Sequence, residues 1–331
     1  MFFTVFLALL VLAAPLLVLA PSNPQADRGM IPVHPNISVY EPGQKAIVAW
    51  NGTDEVLILS TDVIAQGDTA VVEIMPLPSQ PYEVDQVEFE VFERLHLMVL
   101  RHAGDVVPMP GSFKGVEGVE VVFHEAIGMH DVTVVTASNA TELSAWIRDF
   151  MHKINPSASL PEGLEDVVED YLARGLKYFA LDVVYLTNEY RSVKPILYMF
   201  KTSYLYYPLK ISSIIPGESS IVVFAITKEK LRETTPLNKA SYVSQGGEVP
   251  IEVVLSKEEL KQLDPRIAQL FYGDPWLTAL SYRGELSDLS VDLIVGGKPT
   301  AIPQPPQAQV LVLIAAAAAL VVSAVALSIK V

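Results

Sequence analysis

Two uncharged apolar runs bracket this chain, and they decide which residues remain to build a water-facing core. The first, MFFTVFLALLVLAAPLLVLA, opens the sequence and is followed at once by PSNPQADRG. Its lack of charge is that of an export signal, although the run is at the long end for a signal's apolar core and has no basic start beyond the α-amino group; small residues Ala20 and Ala26 offer processing sites before the first charges, Asp27 and Arg28. Two readings stand, a signal peptide removed over residues 1–26 or a retained N-terminal anchor, and the processing sites favour removal. The second run, VLVLIAAAAALVVSAVALSI, occupies residues 310–329. At about 1.5 Å of rise per residue, a helix of that length spans a hydrocarbon core of roughly 30 Å. A helix apolar on every side offers water no polar face, so the run predicts a C-terminal transmembrane helix.

The signal directs the downstream chain outside. Residues 27–295 are then an extracytoplasmic domain, and Lys330 and Val331 form a cytoplasmic tail, in the sense of the positive-inside rule. Between domain and span, GGKPTAIPQPPQAQ (residues 296–309) has no hydrophobic periodicity and is dense in proline, the composition of a semi-extended stalk. The expected address is the cell membrane, single-pass, with the membrane engaged through the C-terminal helix.

Composition narrows the partners. A formal charge of −15 repels phosphate, so nucleic acid is not expected as a partner. The chain has no cysteine, which removes disulfides, thiolate nucleophiles and thiolate metal sites together and fits a prokaryotic source. Sequons at Asn36, Asn51 and Asn139 are glycosylation candidates if the host glycosylates; as plain polar turn residues they need no such role.

Along the domain, AIVAW and EVLILS flank Asn51-Gly52, the signal of a β-hairpin. TAVVEIM predicts a third strand that stops at Pro76, Pro78 and Pro81. The spacing of Val87, Val91, Phe92, Leu95 and Val99 predicts a helix over residues 84–100. GVEVVFHEA and MHDVTVVTA predict strands on either side of Gly128. Asn139 then caps a helix striped by Leu143, Trp146, Ile147, Phe150 and Met151, and a second helix runs from Pro161 to Arg174 with Gly175 at its C-terminal cap. KYFALDVVYLT, PILYMFK, YYPLKISSI and SSIVVFAIT predict strands, LSKEELKQL and PRIAQLFYG short helices broken at Asp264-Pro265, and WLTALSYRG and LSVDLIV closing strands. Elements come in blocks rather than in strict alternation, which predicts an α+β fold, mostly antiparallel sheet with a few packed amphipathic helices.

The stretch nearest to a chemical motif is HEAIGMH, from His124 to His130. A zinc protease needs histidines four apart on one helical face, whereas position 128 is glycine and the flanks VEVVF and DVTVV are β-branched. On an undistorted strand the two imidazoles stand roughly 20 Å apart. Only a tight turn at Gly128 would let His124 and His130 share a metal, so no metal and no cofactor is expected. Glu165, Asp166, Glu169 and Asp170 read as a solvated acidic helix face before they read as a calcium site. Tyr198, Tyr204, Tyr206 and Tyr207 read as strand residues with buried rings before they read as a ligand platform. No nucleophile elbow, phosphate loop or dinucleotide fingerprint occurs.

Several stretches, VVEIMPLPSQP, GMHDVTVVTASNATELSAWI, VVEDYLARGLKYFALDV and YYPLKISSI, succeed one another in an order that resembles the prokaryotic domain-of-unknown-function family 2330, a group of uncharacterised exported proteins. The similarity covers residues 40–235, and the resemblance implies no activity, cofactor or catalytic residue. The expectation is a membrane-anchored surface protein with a noncatalytic binding or envelope-organising domain. The competing readings are a surface hydrolase, metal-assisted through His124 and His130, and an accessory subunit of a membrane complex with a partner in the envelope.

Overall fold

A computed structural model of the chain describes residues 30–37, 39–103, 130–187, 190–244 and 247–297. The strands in chain order are β1 (Ile31–Pro32), β2 (Val39–Trp50), β3 (Asp54–Ala65), β4 (Thr69–Leu77), β5 (Glu83–Gln86), β6 (His130–Thr136), β7 (Tyr178–Leu186), β8 (Tyr190–Ser192), β9 (Ile196–Lys201), β10 (Leu205–Tyr207), β11 (Glu218–Thr227), β12 (Asn238–Lys239), β13 (Ser241–Ser244), β14 (Gly247–Pro250), β15 (Glu252–Val254), β16 (Trp276–Glu285) and β17 (Leu293–Val295). The helices are α1 (Glu90–Ala103), α2 (Ala140–Ile154), α3 (Leu164–Ala173), α4 (Lys257–Leu263) and α5 (Pro265–Leu270). The class is the expected one, α+β with mostly antiparallel sheet. The pairing of β11 with β2 is parallel.

The hairpin of β2 and β3 is the spine. Asn51 closes its turn by accepting the N–H groups of Thr53 and Asp54, each at 2.9 Å, and Gly52 takes a φ of 103°, which glycine adopts without strain. Around it the large sheet runs in the order β12-β16-β11-β2-β3-β9-β5, with β15 also on β16 and β8 also on β3. A second sheet runs β1-β4-β7-β6. Because side chains alternate along a strand, the spine serves two cores. Ala46, Val48, Leu57 and Leu59 join the second sheet, α2 and α3 in one, whereas Ile47, Ala49, Val56 and Ile58 join α1, α4 and α5 in the other.

The helix ends are set by side chains the sequence places there. Asn139 Oδ1 accepts from the Glu142 N–H at 2.9 Å to start α2. Gly175, at φ 87°, ends α3 with its N–H on the Leu172 carbonyl and the Leu176 N–H on that of Tyr171, both at 2.9 Å, a Schellman closure. Asp264 ends α4 and caps α5, accepting the Arg266 N–H at 2.8 Å.

Four local expectations are corrected. Residues 83–86 form β5 rather than the start of a helix, and α1 begins at Glu90; pairing with the edge of β9 and the Arg266 guanidinium, 2.9 Å from Glu83 and 2.8 Å from Asp85, override the helical spacing. β4 runs through Pro76 to Leu77, because β1 reaches only Val71 and Val72 and leaves an open edge where a missing donor is tolerated. YYPLKISSI is a strand only to Tyr207, then a 3-10 turn over Lys210–Ile214. LSVDLIV is a strand only from Leu293. The predicted strand GVEVVFHEA with His124, residues 1–26, most of the stalk and the apolar run at 310–329 all lie outside the described residues. Among the described residues no helix is long and apolar enough to cross a membrane.

Candidate functional site

Strand register gathers three titratable side chains on one face of the smaller sheet. Glu73 on β4 lies directly opposite Asp182 on β7, and Asp182 in turn lies opposite Val132 on β6. His130 stands two residues before Val132, so it shares their face, diagonal to Asp182. Asp182 and Glu73 are both buried, and with Leu59, Ile74, Met75, Ala180 and Tyr198 they line a small cleft between the two sheets.

The hydrogen bonds of His130 determine what this cluster can do. Its Nδ1 lies 2.5 Å from Asp182 Oδ2 and its Nε2 lies 2.9 Å from the Lys194 carbonyl oxygen. A carbonyl only accepts, so Nε2 carries a hydrogen, and an Nδ1–H directed at the carboxylate completes an imidazolium. Burial opposes that charge, but the bond to Asp182, its negative charge and that of Glu73 outweigh burial and raise the pKa of His130. Both ring nitrogens are therefore committed to the protein. Neither is left to take a proton from a substrate or to hold a metal.

The raised pKa has a sign that can be read in stability. The unfolded imidazole titrates near 6.5 and the folded one above it. The stabilisation is complete below 6.5 and is lost as pH rises through the folded value. Thermal melts between about pH 5 and pH 9 should show Tm falling across that window, and His130→Gln should flatten this part of the curve. Parallel curves for the two proteins would contradict the ion pair.

The other residues singled out in the sequence are dispersed. His124 lies outside the described residues, and among the described residues no group of three or more His, Asp or Glu is placed to hold a metal ion. Glu165, Asp166 and Glu169 are exposed, and Asp170 is paired with Arg174 at 2.8 Å and Lys210 at 3.0 Å. Tyr198, Tyr204, Tyr206 and Tyr207 are all buried, Tyr204 and Tyr206 meeting edge-on with centroids 6.2 Å apart, so they pack the core rather than present a platform. Asn36 and Asn139 are exposed, whereas Asn51 donates its amide to the Leu270 carbonyl at 3.2 Å, a bond that a glycan would displace.

Sequence reasoning missed the carboxylates that matter. Asp182 interrupts FALDVVYL and Glu73 interrupts VVEIM, single charges inside apolar strand runs. That interruption was the available signal. A third such residue, Asp292, is buried where α3, the 3-10 turn and the approach to β17 meet.

A family model described as an uncharacterized protein conserved in bacteria (DUF2330) matches residues 23–283, a wider span than the sequence resemblance covers. No curated protein matches the chain. Among solved structures, the crystal structure of baculovirus P35 is similar at 10% identity and a TM-score of 0.41, covering 80% of this chain and 98% of that one. A mutated baculovirus P35 after caspase cleavage is similar at 8% identity and a TM-score of 0.37, covering 78% of this chain and 99% of that one. The caspase-8/P35 complex contains a chain similar at 9% identity and a TM-score of 0.32, covering 79% of this chain and 93% of that one. The family match takes in most of the sequence, and the chain belongs to the DUF2330 family.

Proposed function

We propose that this member of an uncharacterized bacterial family is a membrane-tethered surface protein whose extracytoplasmic domain binds or organises a component of the envelope without catalysing a reaction. Residues 27–295 stand outside, 296–309 form the stalk, 310–329 span the bilayer and Lys330 and Val331 lie inside. The observation that carries the reading is the pair of uncharged runs bracketing an acidic, cysteine-free domain. The commitment of both His130 nitrogens supports the noncatalytic part, because the one histidine beside the buried carboxylates has no free base position.

Cell fractionation tests the tether. The full chain should stay with membranes through a high-salt wash and leave only with detergent, and protease added to intact cells should degrade the domain. Release by salt alone, or protection from protease, would overturn the reading. Metal analysis of the same detergent extract addresses the hydrolase alternative: stoichiometric zinc that disappears on changing His124 or His130 would replace the binding role with metal-assisted chemistry.

A further inference from the structure

The imidazole of His130 ties the two sheets together at the edge where the smaller one ends. Among the described residues β6 is the last strand of that sheet, beyond β7 with its Asp182. The Lys194 carbonyl belongs to the larger sheet. It lies between β8 and β9, and its neighbours are fixed there: the Val193 N–H donates to the Thr61 carbonyl at 2.7 Å, and the Pro195 carbonyl accepts from the Val87 N–H at 2.9 Å. One ring therefore grips the smaller sheet through Nδ1, at 2.5 Å from Asp182, and the larger through Nε2, at 2.9 Å from Lys194.

This double grip needs a hydrogen on each nitrogen, and a neutral imidazole has only one. Kept on Nδ1, the hydrogen preserves the bond to Asp182, the stronger of the two because its acceptor is charged. The bare Nε2 then faces a carbonyl oxygen with no hydrogen between two lone pairs. Kept on Nε2, it would set the bare Nδ1 against a carboxylate, a worse repulsion. The Lys194 contact is therefore the one that breaks. Loss of the imidazolium also leaves the Asp182 carboxylate buried without its cation, and Asp182 Oδ1 is already buried with no hydrogen bond, so both changes favour water beside it. The charged groups that face the ring are Asp182 from β7 and Glu73 from β4, and Tyr198 from β9 lines the same cleft. The Lys194 ammonium is taken by Glu88 at 3.3 Å, and Asp131, next along β6, is exposed on the opposite face.

We propose that His130 is a pH-operated clasp between the two sheets, and that its neutral form releases the Lys194 carbonyl and admits water to the cleft at Asp182. The opening is local to the β6 edge, because Val63 and Ala65 of the larger sheet share a buried core with Val71 and Val184 of the smaller. The clasp is shut below about 6.5, with both nitrogens committed, and opens as pH rises through the higher folded value. It does not depend on the membrane tether.

Nuclear magnetic resonance of the full chain in detergent, with isotope in the ring nitrogens of its six histidines, reads the clasp directly. The His130 signal, assigned by its loss in His130→Gln, should show hydrogen on both nitrogens near pH 5 and on Nδ1 alone above the folded value. Hydrogen exchange at the same pH values, expressed as protection relative to the intrinsic rate at each pH, reads the opening. The β6 amides should lose roughly ten- to a hundredfold in protection, the equivalent of one hydrogen bond to a charged group, beyond any change in the β2–β3 hairpin. Asp182→Asn should move both transitions to lower pH, and Glu73→Gln should do so by less, which keeps the test open if the first variant does not fold. A neutral form with its hydrogen on Nε2 overturns the clasp. So does β6 protection that changes only in parallel with the hairpin, or a His130 signal unchanged from about pH 5 to pH 9.

Discussion

Changing Asp292 to alanine is expected to destabilise the domain by about 3–5 kcal/mol, the cost of stripping one partner from a buried ion pair. The Asp292 side chain is fully buried, and four donors converge on it. Tyr171 donates its hydroxyl at 2.8 Å and the Leu209 and Lys210 N–H groups donate at 2.9 Å, all to Oδ1, while Arg174 Nη1 reaches Oδ2 at 2.9 Å. Burial disfavours the Arg174 charge, but Asp292 more than compensates and holds the guanidinium protonated. Alanine leaves Arg174 with Asp170 alone and takes the acceptor from two backbone N–H groups and from the Tyr171 O–H, whose oxygen keeps only the Ile211 N–H, and each lost partner exposes a desolvation cost. Asp292→Asn should fall between the two, since its carbonyl oxygen still accepts from the Oδ1 donors while its amide opposes Arg174. Urea unfolding read by tryptophan fluorescence measures all three. A midpoint for the alanine variant equivalent to a loss under about 1 kcal/mol would show that solvent replaces the carboxylate.

How far the sequence reveals this depends on whether the deciding contacts are local. Asn51-Gly52, Asn139 and Gly175 act within five residues of themselves, and the hairpin and both helices appear where these residues predict them. β5 looks helical because Val84 and Val87 continue the stripe of α1. Its partners, β9 and Arg266, lie more than a hundred residues downstream and leave no local trace. The 3-10 turn after Tyr207 has the same cause. The backbone N–H groups of Leu209 and Lys210, which a strand would direct to a neighbouring strand, are taken by Asp292, 83 and 82 residues away.

The candidate site shows the same division. HEAIGMH draws attention to a histidine pair six residues apart, yet the group that governs His130 is Asp182, 52 residues on. In sequence Asp182 is a lone charge among apolar strand residues, which marks the position but names no partner. Only the registers of β4 with β7 and of β7 with β6 turn it inward beside Glu73. Asp182, Glu73 and Asp292 share one legible trait, a carboxylate flanked closely by aliphatic residues on both sides, whereas Glu55 follows Asp54 and carries no such mark.

Glu55 supplies the second large expected effect, of opposite sign. Glu55→Gln should stabilise the domain at neutral pH and more so as pH rises. The carboxyl is fully buried; burial pushes its pKa well above 4.5, and the Tyr206 N–H, donating to Oε2 at 2.8 Å, offsets only part of that. A folded pKa above the unfolded one means stability that is complete below about 4.5 and is lost as pH rises through the folded value. Across that window the wild type should lose about 1.4 kcal/mol per pH unit relative to glutamine, which keeps an acceptor for Tyr206 and never ionises. The window separates this effect from that of His130, because the Glu55 loss begins near 4.5 and the histidine loss only near 6.5. In urea titrations at a series of pH values, the Glu55→Gln curve should diverge from wild type in the acid range, and the His130→Gln curve only above it. If Glu55→Gln and wild type ran parallel from acid to neutral pH, the carboxyl would have to be hydrated in the folded state, and its single bond to Tyr206 would no longer describe its environment.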